Sequence, residues 1–272
     1  MSNTDISRPR NNVAEKLARD EIVTSCIVKF VQTVSVASLI KTAGFDAFYV
    51  DLEHCTFSLD LTSQICVTAL ALGVTPFVRV PAIDGDFISR VLDGGAMGVI
   101  GPHIETAEDA ERLVRYAKYP PYGKRGAGGG LPHFGFVRLP ADEMHPVLNE
   151  LTTVATMIET ASALENVEAI ADVEGVDILV VGCSDLSSEL GVPGQNDHPR
   201  IEEAVLTTIA AARKRGKHVW LGGLGNKTEL ASRLIKAGAR AITTGSDIEI
   251  LTTGFNARAK STEAFKAELS GQ

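Results

Sequence analysis

Short β-branched runs alternate with amphipathic stretches along almost the whole chain, and this pattern decides the fold class. IVTSCIVKFV precedes VSVASLIKTAG, FDAFYVDLEH precedes LDLTSQICVTALALG, and TPFVRVP precedes DGDFISRVLDGGA. MGVIGPHIE, TVATMIET, VDILVVG, KHVWLGG and RAITTGS continue the series, each leading into a helical pattern. Eight βα units in about 250 residues fit a closed (β/α)8, or TIM, barrel. The alternative is an open, doubly wound sheet, because alternation by itself does not show closure. A chain of 272 residues leaves little to spare. The expectation is therefore an α/β chain forming one barrel domain over 1–272, with its core at about 20–260 and an N-terminal helix before it. Ala43-Gly44, Leu72-Gly73 and Ala237-Gly238 read as helix ends returning to the next strand. Tyr119 to Pro146, rich in Pro, Gly and His, is too long for an ordinary connection and reads as an irregular functional or assembly segment.

Composition narrows the partners. With 26 basic and 34 acidic residues the net charge is -8, so no overall positive field attracts nucleic acid or an anionic membrane surface. No apolar run approaches the length of a spanning helix, and the opening MSNTDISRPRNN lacks the apolar region of a signal peptide. Cys26, Cys55, Cys66 and Cys183 lie far apart with no CxxC pair, against both a zinc site and a disulfide framework. A soluble protein of the reducing cytoplasm is expected.

In a barrel of this kind chemistry sits where strands end. Asp51, Glu53 and His54 follow the second apolar run, Arg79 the third, His103 the fourth, Glu159 the fifth and Asp185 the sixth. Asp51 to Arg79 is 28 residues, Arg79 to His103 is 24 and Glu159 to Asp185 is 26, each about one βα repeat, so these side chains should converge on one rim. Glu159 and Asp185 could offer oxygen ligands to a hard divalent cation, or could simply cap the helices that follow. Arg79, after an apolar strand, needs an anionic partner, either a structural carboxylate or a substrate oxyanion. His54 could be a base beside Asp51 or a surface polar residue. Lys29 could be a Schiff-base amine, although a lysine reaching to solvent from a strand end explains it more simply. Gly222, Gly223, Gly225 and Gly245-Ser246 stand where barrels often bind phosphate, or only permit tight turns.

FDAFYVDLEH, PFVRVP, VLDGGAMGVIGPHIETAEDAERLVRYAKYPPYGKRG, IETASALENVEAIADVEGVDILVVGCSDLSSELG and GARAITTGSD together resemble the HpcH/HpaI family of divalent-metal-dependent pyruvate aldolases, in order over about residues 20–260. The resemblance implies a barrel that reversibly cleaves 4-hydroxy-2-oxo acids to pyruvate, or a related 2-oxo acid, and an aldehyde through an enolate, with Mg²⁺, Mn²⁺ or Co²⁺. It implies Glu159 and Asp185 as metal ligands, Arg79 as stabiliser of the enolate oxygen, and His54 as base with Asp51 to orient it. Asp93 would reach a neighbouring subunit's site. The turn Gly182, Cys183, Ser184, Asp185 would hold the substrate carboxylate on the amides of Ser184 and Asp185. It further implies a homo-oligomer, a hexamer or trimer of dimers, with C-terminal helices exchanged between subunits; 248–269 is long enough for such a helix.

Two positions depart from the family pattern. Met157 stands where a glutamine is common before the first metal ligand, and Cys183-Ser184 modifies the carboxylate turn. His103 is similar to a feature of macrophomate synthase, a family relative that decarboxylates oxaloacetate and condenses the enolate. Oxaloacetate decarboxylation or enolate condensation is thus the alternative activity, with His103 in the substrate site or only packing beside it. Coenzyme A thioester cleavage is disfavoured by the want of a basic patch. A catalytically silent binding or assembly barrel is the remaining possibility.

Overall fold

The computed structural model describes residues 9–270 and shows a closed parallel sheet, its strands paired in chain order with the eighth beside the first. The strands are β1 (Val23–Val28), β2 (Ala47–Asp51), β3 (Thr75–Arg79), β4 (Gly98–Gly101), β5 (Thr153–Ile158), β6 (Ile178–Gly182), β7 (His218–Gly222) and β8 (Ala241–Ser246). Helix α1 (Asn12–Ala18) precedes them. The outer layer is α2 (Ser35–Ala43), α3 (Leu59–Leu72), α4 (Gly85–Asp93), α5 (Ala107–Ala117), α6 (Ala141–Leu151), α7 (Ala161–Glu165), α8 (Val167–Asp172), α9 (Cys183–Glu189), α10 (Pro199–Lys214) and α11 (Thr228–Ala237). Helix α12 (Asp247–Ser270) follows the last strand. The open-sheet alternative is excluded by the β1–β8 pairing.

Local chemistry explains the boundaries. Ser58 and Asp84 accept from the amides of Leu61 and Phe87 and so start α3 and α4, while Thr106 and Asp109 form a reciprocal capping box on α5. Gly44 and Gly73 end α2 and α3 in the left-handed region, as the sequence indicated.

Side chains alternate across each strand and sort into two apolar layers. Phe48, Val50, Val78, Leu179 and Leu221 face outward and pack against the helices. Val23, Ala47, Tyr49, Phe77, Ala155, Met157, Ile178, Val180 and Trp220 fill the interior. Trp220 lies edge-on to Phe77 at 5.2 Å and donates from Nε1 to the Thr243 hydroxyl at 2.9 Å, so its one polar atom is satisfied. Val13 and Leu17 of α1 join this interior layer where the strands begin, and Asn11 ties the entry to Leu151 O and Thr153 Oγ1.

The segment expected to be irregular through Pro146 is shorter than that, because Ala141–Leu151 is helical with Pro146 inside it. Its Met144 and Leu148 pack on Tyr119, Leu131 and Phe134 as a separate apolar cluster. The Asn149 side chain accepts from the Tyr119 amide and donates to the Tyr119 carbonyl. His133 lies buried beside this cluster, paired through Nε2 with the Ala96 carbonyl at 3.1 Å, while Nδ1 has no partner.

Burial, aided by the charge of Arg125 and opposed by the Ala96 bond, pushes the His133 imidazole down to about 4. An unfolded histidine titrates near ~6.5, so between these values the unfolded chain takes up a proton that the folded one refuses, and stability falls as pH falls. His133 should contribute roughly 2–3 kcal/mol of destabilisation between about pH 7.5 and 4.5. Urea unfolding at the two pH values should show a correspondingly smaller drop for His133→Gln; parallel drops in both proteins would contradict this account.

Candidate active site at the barrel mouth

The interior alternation continues past the apolar layer and turns polar at the ends of the strands. Ala47 and Tyr49 lead to Asp51, Phe77 leads to Arg79, and Ala155 and Met157 lead to Glu159, all on the inward-facing register. Val23 and Ile27 lead in the same way to Lys29. Asp51, Arg79 and Glu159 are buried. Four strands thus place charged side chains on top of an aromatic floor, with the Arg79 guanidinium 5.9 Å from the centre of the Tyr49 ring.

These groups form one chain of contacts across the mouth. Arg79 donates from Nε to Asp51 Oδ1 at 3.0 Å and from Nη2 to Oδ2 at 2.6 Å, a bidentate pair. Its Nη1 approaches Glu53 Oε2 at 3.0 Å and Met157 Sδ at 3.8 Å. Glu53 Oε1 lies 2.9 Å from His103 Nε2, and His103 Nδ1 lies 3.4 Å from Glu159 Oε1. The His103 backbone, in the left-handed region at φ 52°, donates its amide to the same Glu159 oxygen at 2.8 Å. At the other end Lys29 Nζ stands 3.4 Å from Asp51 Oδ2.

Charge states follow from these contacts. Burial alone would raise the Asp51 carboxyl, but the hydrogen bonds and charge of Arg79 outweigh it and hold Asp51 below the usual carboxylate range. Burial works against the Arg79 cation as well, and Asp51 more than restores it. Glu159 goes the other way. Burial raises its carboxyl; the His103 amide opposes that, while the charges of Glu53 and Asp185 reinforce it.

Asp51 reaches His54 through the main chain, accepting the amides of Glu53 and His54 at 3.2 Å, whereas the half-exposed His54 ring faces Glu53 Oε2 at 3.6 Å. The ring-orienting role expected of Asp51 is thus not what the contacts show: its oxygens are committed to Arg79 and the turn. Glu159 does not cap the next helix, since the Thr160 hydroxyl does so through the Ala163 amide. Asp185 lies exposed in the first turn of α9. Ser184 Oγ receives Asn196 Nδ2 at 3.4 Å. A Cβ on Gly182 would stand 3.0 Å from Glu159 Cβ, so a side chain there would displace the buried carboxylate. Asp93 ends α4 away from this cluster, with Oδ1 2.6 Å from Nη2 of the buried Arg125. At Gly245-Ser246, where the sequence offered a phosphate site or only a tight turn, the Ser246 amide and hydroxyl donate to Glu249. Gly225 lies against the Thr244 carbonyl, where any side chain would clash.

Glu53 is the residue that strand-end spacing undervalued. It joins Arg79, His54 and His103, and its place two residues after Asp51 is the signal that identifies it.

Among the described residues, no three His, Cys, Asp or Glu side chains close on a common point. Glu159 and Asp185 nevertheless form an oxygen-only donor pair of the kind a hard divalent ion prefers, with room for other ligands. Glu159 carries a charge that its surroundings disfavour, and Glu53 Oε2, although 3.0 Å from Arg79 Nη1, makes no hydrogen bond of good geometry. The donor set and this negative excess fit a divalent cation.

The chain is similar to known proteins over most of its length. The sequence profile of the HpcH/HpaI aldolase/citrate lyase family matches residues 30–253. A 4-hydroxy-4-methyl-2-oxoglutarate aldolase from Hapsidospora irregularis is 40% identical over 247 residues, covering 90% of this chain and 92% of the relative. A protein of the same name from Chaetomium globosum is 43% identical over 222 residues, covering 81% and 82%. The crystal structure of an HpcH/HpaI aldolase from Desulfitobacterium hafniense DCB-2 superposes with a TM-score of 0.87 at 29% identity, covering 93% of this chain and 97% of that one.

The two buried carboxylates should respond oppositely to neutralisation. Asp51→Ala leaves the Arg79 cation with a weakened set of partners and should cost about 3–5 kcal/mol. Glu159→Gln removes a disfavoured charge, so chelator-treated protein should lose no stability and its melting temperature should stay level or rise. Calorimetry on both variants checks this; a large loss in Glu159→Gln would mean that the charge stabilises the fold.

Proposed function

The chain belongs to the HpcH/HpaI aldolase/citrate lyase family, and on that premise we propose that it is a divalent-metal-dependent aldolase cleaving 4-hydroxy-2-oxo acids to pyruvate, or a related 2-oxo acid, and a carbonyl partner. The observation that carries this reading is the inward row of Asp51, Arg79 and Glu159, a fixed cation paired with one carboxylate and sharing the mouth with a second whose charge burial disfavours. The names of the two fungal relatives favour 4-hydroxy-4-methyl-2-oxoglutarate as substrate, whose carbonyl partner is a ketone rather than an aldehyde.

Glu159 and Asp185 would hold Mg²⁺, Mn²⁺ or Co²⁺, which when bound supplies Lewis-acid polarisation of the 2-oxo group. The amides of Ser184 and Asp185, after the small Gly182, would take the C1 carboxylate. Arg79 commits Nε and Nη2 to Asp51, and Nη1, which contacts Glu53 and Met157, would turn its donors to the oxygen at C2. As the bond between C3 and C4 breaks, its electron pair passes toward that oxygen, and Arg79 stabilises the developing negative charge without having to reorganise. His54, beside Glu53, would remove the C4 hydroxyl proton and return it, directly or through solvent, to C3. Met157 beside Arg79 brings a thioether in place of an amide, so the oxygen at C2 depends more heavily on Arg79.

A second reading rests on His103, whose ring spans Glu53 and Glu159. Oxaloacetate decarboxylation would use the same carboxylates and Arg79 but needs no base for a hydroxyl proton.

Assembly completes the proposal: a homo-oligomer, a hexamer or trimer of dimers, with α12 exchanged between subunits. Ile248, Ile250, Leu251, Phe255, Phe265 and Leu269 of α12 are all exposed in the single chain, an apolar surface suited to a second copy. Asp93, held by Arg125, would act across that assembly on a neighbouring subunit's His54. The four cysteines are unpaired and no described helix is long and apolar enough to cross a membrane, features that accord with a cytoplasmic enzyme.

Turnover should require added metal. Glu159→Ala and Asp185→Ala should each lower kcat/KM by more than ~100-fold and weaken Mn²⁺ binding in calorimetric titration. His54→Ala should reduce aldol cleavage at least ~100-fold, within the usual range for a general base, while reducing oxaloacetate decarboxylation much less; equal losses would remove the hydroxyl-proton role. Wild-type protein inactive on both substrate classes with every metal would favour a binding barrel. Phe255→Glu with Phe265→Glu should shift sedimentation toward the monomer, and an unchanged assembly would contradict the exchanged-helix arrangement.

A further inference from the structure

Lys29 remains unused by the mechanism above, yet it extends the same inward register as Val23 and Ile27 and ends in the mouth. Its strand is opposite β5 in the closed ring, with three strands between them on either side. A substrate anchored at Glu159 and Asp185 and passing Arg79 and His54 therefore points its far end toward Lys29.

The main chain here is rigidly held. The Asp247 carboxylate accepts the amides of Lys29, Phe30 and Val31 at 2.7–3.2 Å, fixing the end of β1 while leaving the ammonium free to reach inward. That ammonium is about 30% exposed and stands 3.4 Å from Asp51 Oδ2, an oxygen already engaged by Arg79 at 2.6 Å. Among the described residues, Arg79 and Lys29 are the Lys or Arg side chains paired with mouth carboxylates. Arg79 is buried, bidentate to Asp51 and assigned to the C2 oxygen, so Lys29 is the cation left for the far end of the substrate.

We propose that Lys29 is a specificity-determining residue that binds the second carboxylate of a 4-hydroxy-2-oxo diacid. This rests on the aldolase reading and adds to it the recognition of the substrate's far end. Where the second carboxylate is attached to C4, cleavage turns the C4 alcohol into a carbonyl and releases a second 2-oxo acid, so the same ammonium also holds the departing fragment, and in the synthetic direction the acceptor. A substrate with an uncharged tail gains nothing from Lys29.

The test compares 4-hydroxy-4-methyl-2-oxoglutarate with 4-hydroxy-2-oxovalerate, whose tail is uncharged, in the full-length Mn²⁺-loaded enzyme and in Lys29→Met and Lys29→Arg. Loss of a charged hydrogen-bond partner should raise KM for the diacid roughly 10- to 100-fold in Lys29→Met, with kcat changed far less. The preference for the diacid should fall by a similar factor, and Lys29→Arg should recover most of it. Equal proportional losses on both substrates would overturn the proposal and reduce Lys29 to a support for Asp51; no loss on either would overturn it outright. Both of these results leave the aldolase reading standing, whereas a wild-type enzyme that cleaves neither substrate would overturn the two together.

Discussion

The paired contact of Arg79 with Asp51 at the top of the barrel interior is the interaction on which the site is built. A guanidinium buried above Tyr49, Phe77 and Trp220 is affordable only with a carboxylate on the neighbouring strand, and the register sets Asp51 directly beside Arg79. With that pair in place the apolar interior ends in a fixed dipole. Glu53 then has a cation to face, and through Glu53 the ring of His103 is held over Glu159. At the mouth four carboxylates, Asp51, Glu53, Glu159 and Asp185, stand against Arg79 and Lys29, so the negative excess is local and suited to a divalent ion. The net charge of the whole chain matters little beside it.

Much of this architecture was legible in the sequence because hydrophobic alternation and turn chemistry report local constraints directly. All eight strands and the ends of α2, α3 and α11 lie where the pattern puts them. The site was legible in part. Counting one βα repeat between strand ends finds Asp51, Arg79, His103 and Glu159, but it ignores which way each side chain faces. Glu53 and Lys29 also stand at strand ends in the sequence, but their facing the mouth follows only from the second periodicity, the alternation that sends every other residue inward. The spacing of Asp51 and His54 misled for a related reason: past the last residue of β2 the backbone turns, and Asp51 spends its free acceptor capacity on the turn's amides. Helix α6 was hidden by its own composition, since Pro146 and His145 read as loop residues until packing against Tyr119 and Leu131 is taken into account.

His103 shows where stability is given up. A non-glycine residue in the left-handed region costs about 1–3 kcal/mol, and it persists only if its surroundings hold it there. Here the amide bound to Glu159 and the ring set between two carboxylates do so. Strain at β4 and the charge carried by Glu159 at β5 therefore meet at one oxygen. A backbone conformation disfavoured in isolation aims the donor that opposes the effect of burial on the Glu159 carboxylate.

The Asp247 carboxylate has a further mechanical consequence. It begins α12 and at the same time grips three successive amides beyond β1, so the first and last strands are locked together where the terminal helix leaves the barrel. The helix consequently departs on a fixed bearing, like a mast stepped into a keel. Whatever docks along its 24 residues inherits an orientation relative to the mouth, set by a few hydrogen bonds at its root rather than by contacts along its length.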